Sequence, residues 1–150
     1  ASLYLNSTEI TDAGLVHLKG QENLQTLWIG DTQVTDAGLV HLKKLKRNLA
    51  SLYLDSTEIT DAGLVHLKGL TNLESLSLSR TQITDAGLVH LEGLPTLNWL
   101  VLSNTTITDA GVPHLKGLTN LKTLFLYRTQ ITDTGVAELQ KALPKCMIKH

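Results

Sequence analysis

Leucines alternate with polar or aromatic residues in short segments that recur along the whole chain. In one such segment, Leu76 and Leu78 are separated by Ser77 and flanked by Ser75 and Ser79. A period of two places the leucines on one face of a strand and the intervening side chains on the other. The pattern predicts six strands, near residues 2–5, 26–29, 51–54, 75–78, 99–102 and 123–126.

A second apolar pattern follows each strand and predicts a short helix. Leu88 and Leu91 lie three residues apart, after a Thr-Asp pair typical of a helix N-terminus. Because proline deep in a helix costs about 3 kcal/mol, Pro113 must lie in a first turn. We therefore expect short helical segments that are partly 3₁₀.

The strand and helix signals repeat at a fixed interval. The first strand leucines follow one another at 24, 25, 24, 24 and 24 residues, at Leu3, Leu27, Leu52, Leu76, Leu100 and Leu124. Such a period predicts a solenoid, here one domain over residues 1–150 with a parallel sheet. Residues 136–150 depart from the repeat and predict a C-terminal cap. The chain opens in the middle of a repeat, so we expect no N-terminal cap and possible end-to-end self-association there.

The repeat resembles a known family signature. Leu73-x-x-Leu76-x-Leu78-x-x-Thr81-x-Ile83 is similar to the leucine-rich repeat, with threonine where that family usually has asparagine or cysteine. The Thr-Asp-Ala-Gly-Leu half resembles the 24-residue repeats of many bacterial members and the ribonuclease-inhibitor-like subfamily. The resemblance implies a right-handed α/β horseshoe arc, with the parallel sheet on the concave face and short α or 3₁₀ helices on the convex face. It also implies protein–protein recognition.

The charge composition narrows the classes of partner that the chain is expected to bind. The chain has 13 basic and 14 acidic residues, so charge gives no sign of a nucleic-acid or membrane-surface partner. Four cations in repeat two, Lys43, Lys44, Lys46 and Arg47, suit either a patch for an anionic partner or a solvated convex face, and we favour the solvated face. Nothing in the sequence indicates a cellular compartment or a cofactor.

Two columns of chemically active side chains repeat with the scaffold. One histidine per repeat lies on the predicted convex side without a second ligand beside it, which argues against a zinc site. The aspartates at the helix starts are explained by capping and the helix dipole, which argues against calcium. The columns are His17, His41, His66, His90 and His114, and Asp12, Asp36, Asp61, Asp85, Asp109 and Asp133. Serine, threonine, aspartate and histidine all belong to the repetition, so we predict neither a catalytic residue nor a metal site.

The aromatic side chains mark the candidate binding face. All six alternate with the leucines and therefore point to the concave surface, where large aromatics indicate binding more than inert cross-strand stacking. The predicted contact residues are Tyr4, Trp28, Tyr53, Trp99, Val101, Phe125 and Tyr127.

Two further features complete the predicted site. Ser77 lies between Tyr53 and Val101 in the series of outward-facing strand positions and leaves a gap among the aromatic side chains. We expect a partner side chain to insert there. At the strand ends, Asp31 and Asp55 precede Arg80 and Arg128, which predicts a rim that is acidic toward the N-terminus and basic toward the C-terminus.

These observations favour a non-catalytic module that binds a protein or peptide on its concave face. Two alternatives stay open: a structural spacer that self-associates as an array, and the substrate-recognition part of a larger enzyme or effector. A carbohydrate on the aromatic row is a minor further possibility.

Overall fold

The alternating leucines form one parallel sheet whose strands follow chain order. The computed structural model describes all residues, Ala1–His150, and each strand pairs with the next without a crossover. The seven strands are β1 (Ser2–Tyr4), β2 (Thr26–Trp28), β3 (Ser51–Tyr53), β4 (Ser75–Ser77), β5 (Trp99–Val101), β6 (Thr123–Phe125) and β7 (Met147–Lys149). The predicted fold class, an α/β solenoid with an open parallel sheet, is confirmed.

Each turn of the solenoid returns through a short helical segment on the opposite side of the core. The α-helices are α1 (Asp12–Leu15), α2 (Asp36–Leu39), α3 (Asp61–Leu64), α4 (Val112–Lys116) and α5 (Asp133–Ala142). The 3₁₀ segments are Val16–Leu18, Val40–Leu45, Val65–Leu67, Asp85–Leu91 and Asp109–Gly111. Pro113 lies in the first turn of α4, where its missing N–H is not needed. No helix combines the length and the apolarity needed to cross a membrane.

One continuous hydrophobic core fills the space between the sheet and the helices. It contains 36 buried residues drawn from every repeat. Strands lie about 4.8 Å apart whereas packed helices need about 8–10 Å, so stacking them in register bends the solenoid with the sheet inside. This curvature makes the sheet the concave face.

Aspartate links each repeat to the next, which corrects the sequence interpretation. The Asp61 carboxylate accepts hydrogen bonds from the backbone N–H and the hydroxyl of Thr84, at 2.8 and 2.6 Å. The capping role belongs to the threonine, whose hydroxyl accepts from the backbone N–H of Ala86. Equivalent bonds join Asp12 to Thr35, Asp36 to Thr60, Asp85 to Thr108 and Asp109 to Thr132.

The glycine of each helix start makes room for that carboxylate. A Cβ atom on Gly87 would lie 2.3 Å from Oδ1 of Asp61. Gly38, Gly63, Gly111 and Gly135 face the preceding repeat's aspartate in the same way. We call this recurring arrangement of aspartate, threonine and glycine the Asp–Thr–Gly ladder.

A threonine stands where the leucine-rich repeat usually has asparagine, and it makes a hydrogen bond within its own turn. Thr81 is buried, and its hydroxyl donates to the backbone carbonyl of Leu78 at 2.6 Å. The same bond recurs at Thr8, Thr32, Thr57, Thr105 and Thr129. The threonine column therefore satisfies a backbone carbonyl just after the strand in each of the six repeats.

Candidate functional site

The six aromatic side chains form one unbroken series of ring contacts across the concave sheet. Tyr4 stacks on Trp28 with ring centroids 6.0 Å apart, and Trp28 stacks on Tyr53 at 3.6 Å and 11°. The series continues through Trp99 to Phe125 at 5.7 Å, edge to face. It ends at Tyr127, 6.3 Å from Phe125. We call this set the aromatic row.

Pairing register explains why the first three of these rings meet. Tyr4, Trp28 and Tyr53 occupy equivalent positions of adjacent strands, so their rings are brought within contact distance of one another. Val101 and Phe125 are paired in the same column of β5 and β6. Val101 is half-buried and fills the column between Ser77 and Phe125.

The expected insertion slot at Ser77 does not exist in this structure. Ser77 is only 3 % exposed, and its hydroxyl donates to Oδ1 of Asp55. Tyr53 on β3 and Trp99 on β5 have ring centroids 6.0 Å apart, closer than two strand spacings, so Trp99 leans across β4. The prediction of a gap at Ser77 was wrong because register alone does not show how far a tryptophan side chain reaches.

Four charged side chains lie along the rim of the concave face. Asp31 is exposed and accepts a hydrogen bond from the Ser7 hydroxyl at 2.9 Å. Arg80 and Arg128 are exposed, and neither guanidinium takes part in an ion pair. Asp55 is half-buried and bonded to Ser77, so it presents less charge to solvent than Asp31.

The rim side chains project from a left-handed turn. Asp31, Arg80 and Arg128 have φ values of 54°, 56° and 56°. The corresponding residues of the other three repeats adopt the same conformation, so the turn belongs to the repeat and not to a specialised site. The backbone N–H of Arg80 donates to Ser103 in the next repeat at 3.1 Å, which helps to hold the turn.

The structure adds two residues to the concave face that the sequence analysis did not assign to it. Strand β7 places Met147 beside Thr123 and Lys149 beside Phe125. Met147 is 55 % exposed. The alternation of Cys146, Met147 and Ile148 is the sequence signal for this strand, although residues 136–150 were predicted only as a C-terminal cap.

The remaining candidate groups do not converge. No three metal-ligating side chains come together. His114 is held by Glu92, with Nδ1 and Oε1 2.7 Å apart. Cys146 is buried beneath the C-terminal helix, and burial raises the pKa of its thiol. A protonated, buried thiol is a packing group and a poor nucleophile.

Comparisons with known proteins agree with this geometry. The family described as leucine rich repeat matches residues 47–107. A search of curated proteins finds no matching relative.

Three solved bacterial structures are similar over 99 % of this chain. Internalin C2 of Listeria monocytogenes has a TM-score of 0.69 at 28 % identity, and this chain spans 69 % of its length. Internalin F of the same species gives 0.65 at 28 % over 46 % of its length. The leucine-rich-repeat protein LIC12759 of Leptospira interrogans gives 0.71 at 25 % over 36 %. The repeat sequence, the family match over residues 47–107 and the shared fold all make this chain similar to leucine-rich-repeat proteins.

Proposed function

We propose that this chain is a non-catalytic recognition module that binds a protein or peptide on its concave face. The observation that carries the proposal is the aromatic row, in which all six aromatic side chains gather on one exposed surface. Contiguous apolar surface of this kind usually marks a binding site, and tryptophan and tyrosine dominate interface energetics. Leucine-rich-repeat proteins are in general binding modules, which supports the same conclusion.

Ring orientation favours a peptide over a carbohydrate or a cation. Trp28 and Tyr53 lie face to face at 3.6 Å, so each covers a face of the other and mainly ring edges point outward. A sugar needs a free ring face to stack on, and a cation is also attracted to the face. Ring edges are electropositive and suit carbonyl oxygens and packed aliphatic or aromatic side chains. A polypeptide supplies both kinds of group.

The charges on the rim favour one orientation of the proposed partner on the concave face. Unpaired Arg80 and Arg128 flank repeats four to six, and Asp31 lies beside repeat two. A partner with acidic groups over the arginines and basic groups near Asp31 is favoured over the reverse orientation.

Affinity capture with matched variants tests the proposal. The wild-type chain and Trp28→Ala/Trp99→Ala are used as baits in a native-source lysate, with Lys141→Ala in α5 as an exposed control away from the concave face. We expect a protein that the wild type and the control retain and the double variant loses. Equal retention by all three baits would place the site elsewhere. Circular dichroism of each bait checks that the fold is intact.

Intrinsic fluorescence then locates the contact. Both tryptophans of the chain lie in the aromatic row, so we expect a partner bound there to change their emission. A partner that binds without changing tryptophan emission would contradict the concave assignment.

The N-terminal face supports a second, weaker proposal of self-association. Here the partly exposed core residues Leu3, Leu5 and Ile10 line an open groove of about 340 Å³. β1 pairs with β2 on one side, and the backbone groups of its other edge suit a further parallel strand. Sedimentation velocity over a range of concentrations tests this, and a monomer at every concentration would exclude it.

A further inference from the structure

The convex face carries an apolar column that the aromatic row does not explain. Val16, Val40, Val65 and Val89 are 44 %, 39 %, 44 % and 42 % exposed, one in each of the first four repeats. Three residues before each valine stands an exposed alanine: Ala13, Ala37, Ala62 and Ala86. Residues three apart share a helical face, so alanine and valine form adjacent columns across neighbouring helices.

Cations border this column in the first three repeats only. Lys19, Lys43 and Lys68 each follow a column valine by three residues and are exposed. Repeat two adds exposed Lys44, Lys46 and Arg47 through its one-residue insertion and its longer 3₁₀ segment, Val40–Leu45. These six side chains are close to half of the 13 basic residues in the chain.

None of the six cations has an acidic partner. The ion pairs of the structure are His114 with Glu92, Lys116 with Glu138, and His150 with Asp133, all in the C-terminal half. In repeat four the lysine column itself changes to Glu92. Toward the C-terminus, acidic neighbours therefore neutralise the positive charge on the convex face. The cations beside Val16, Val40 and Val65 remain unpaired.

We propose that the convex face of repeats one to three is a second docking surface, for an acidic amphipathic helix of a partner protein. Three helical segments spaced about 8–10 Å apart span roughly 20 Å, the length of about 14 helical residues. The partner's apolar side chains lie on the valine column, and its carboxylates lie on the lysine column. Small alanine side chains allow the helix to approach closely.

Two other occupants fit the same surface less well. A lipid bilayer is usually entered by tryptophan, phenylalanine or leucine, whereas this face offers valine and alanine, and all six aromatics lie on the concave side. A nucleic acid would use the lysines through its phosphates but leave the valines uncovered. An acidic helix engages both columns.

The test measures binding of a defined peptide to the full chain by fluorescence anisotropy. The peptide is a labelled 15-residue helix with leucines on one face and glutamates on the flank, and its control has lysines in place of the glutamates. We expect the acidic peptide to bind and the basic peptide not to bind. Lys19→Glu/Lys43→Glu/Lys68→Glu should weaken binding roughly tenfold or more, and rising salt should weaken it further.

Control variants separate this surface from general charge and from the aromatic row. Lys122→Glu/Lys141→Glu/Lys145→Glu changes net charge equally at exposed sites elsewhere and should leave the affinity unchanged. Val16→Ser/Val40→Ser/Val65→Ser should weaken binding, whereas Trp28→Ala/Trp99→Ala should not.

Five results would overturn the proposal. Four of them are no binding of the acidic peptide up to about 1 mM, an equal loss of affinity in the two lysine triple variants, no loss of affinity in the valine triple variant, and binding of the chain to phosphatidylserine vesicles without binding to the peptide. Loss of peptide binding in the tryptophan variant alone would assign the peptide to the concave face.

Discussion

The Asp–Thr–Gly ladder predicts that replacing a glycine with alanine reverses its effect when the facing aspartate is removed. Gly87 does not have a positive φ, so alanine suits its backbone, and in an open helical position alanine is favoured over glycine by about 0.5–1 kcal/mol. The obstacle is the Asp61 carboxylate, since the new Cβ would lie 2.3 Å from Oδ1 and 2.9 Å from Cγ. The carboxylate must move away from Thr84.

The structure sets the size of this effect. Moving the carboxylate breaks bonds to the Thr84 N–H at 2.8 Å and to its hydroxyl at 2.6 Å. Hydrogen bonds to a charged group are worth about 1.5–3 kcal/mol each, and the exposed setting favours the lower figure. After subtracting the helical preference for alanine, Gly87→Ala should cost about 2 kcal/mol. In an Asp61→Ala background the same change should cost nothing or stabilise slightly.

Urea unfolding followed by circular dichroism measures the four free energies of this double-mutant cycle. Gly93→Ala is the matched control, because its new Cβ would meet only the Lys68 side chain, at 3.8 Å. It should be neutral or mildly stabilising. If Gly87→Ala cost the same with and without Asp61, the carboxylate would not be the reason for the glycine.

Three further predictions concern single groups. Because burial raises the pKa of the Cys146 thiol, iodoacetamide at pH 8 should alkylate the folded chain much more slowly than the urea-unfolded chain, and equal rates would refute a buried thiol. The hydrogen bonds from the Thr132 hydroxyl and backbone N–H lower the pKa of Asp109, so its contribution is present above the unfolded pKa and lost as the pH falls through the folded one. Urea titrations should therefore show the stability gap between wild type and Asp109→Asn narrowing below about pH 4, and a constant gap would contradict this. Asp55→Ala should cost about 1–2 kcal/mol in thermal unfolding by leaving the buried Ser77 hydroxyl unpaired, and Asp55→Ala/Ser77→Ala should recover most of that loss.

The features that repeat at a fixed interval along the chain were predicted correctly from the sequence. A leucine that recurs every 24 or 25 residues and alternates with polar neighbours has one consistent placement, inside a stacked parallel sheet, and Leu27, Leu52 and Leu76 are fully buried there. Alternation also placed the aromatics on the opposite face. The position of Pro113 was also predictable, because only the first turn of a helix tolerates proline.

Prediction failed where contacts depend on side-chain direction or join distant residues. The sequence showed Ser77 as a gap, but the torsions that carry Trp99 across β4 are set by packing that register does not describe. The sequence predicted that Asp61 caps its own helix, because its true hydrogen-bond partner, Thr84, lies 23 residues further along the chain. The exposure of the convex valines is predictable from the sequence, since Val40 directly follows the buried Leu39 and therefore cannot share its inward helical face.

The ladder also makes the repeats interchangeable. Each repeat offers a carboxylate to the repeat after it and a threonine–glycine pair to the repeat before it, so any copy fits beside any other. The one-residue insertion lies between Asp36 and Thr60, and their hydrogen bonds are kept at 2.8 and 2.6 Å. A gene can therefore gain or lose whole units by recombination without new compensating substitutions. Each duplication lengthens the scaffold and adds concave positions whose side chains are free to diversify.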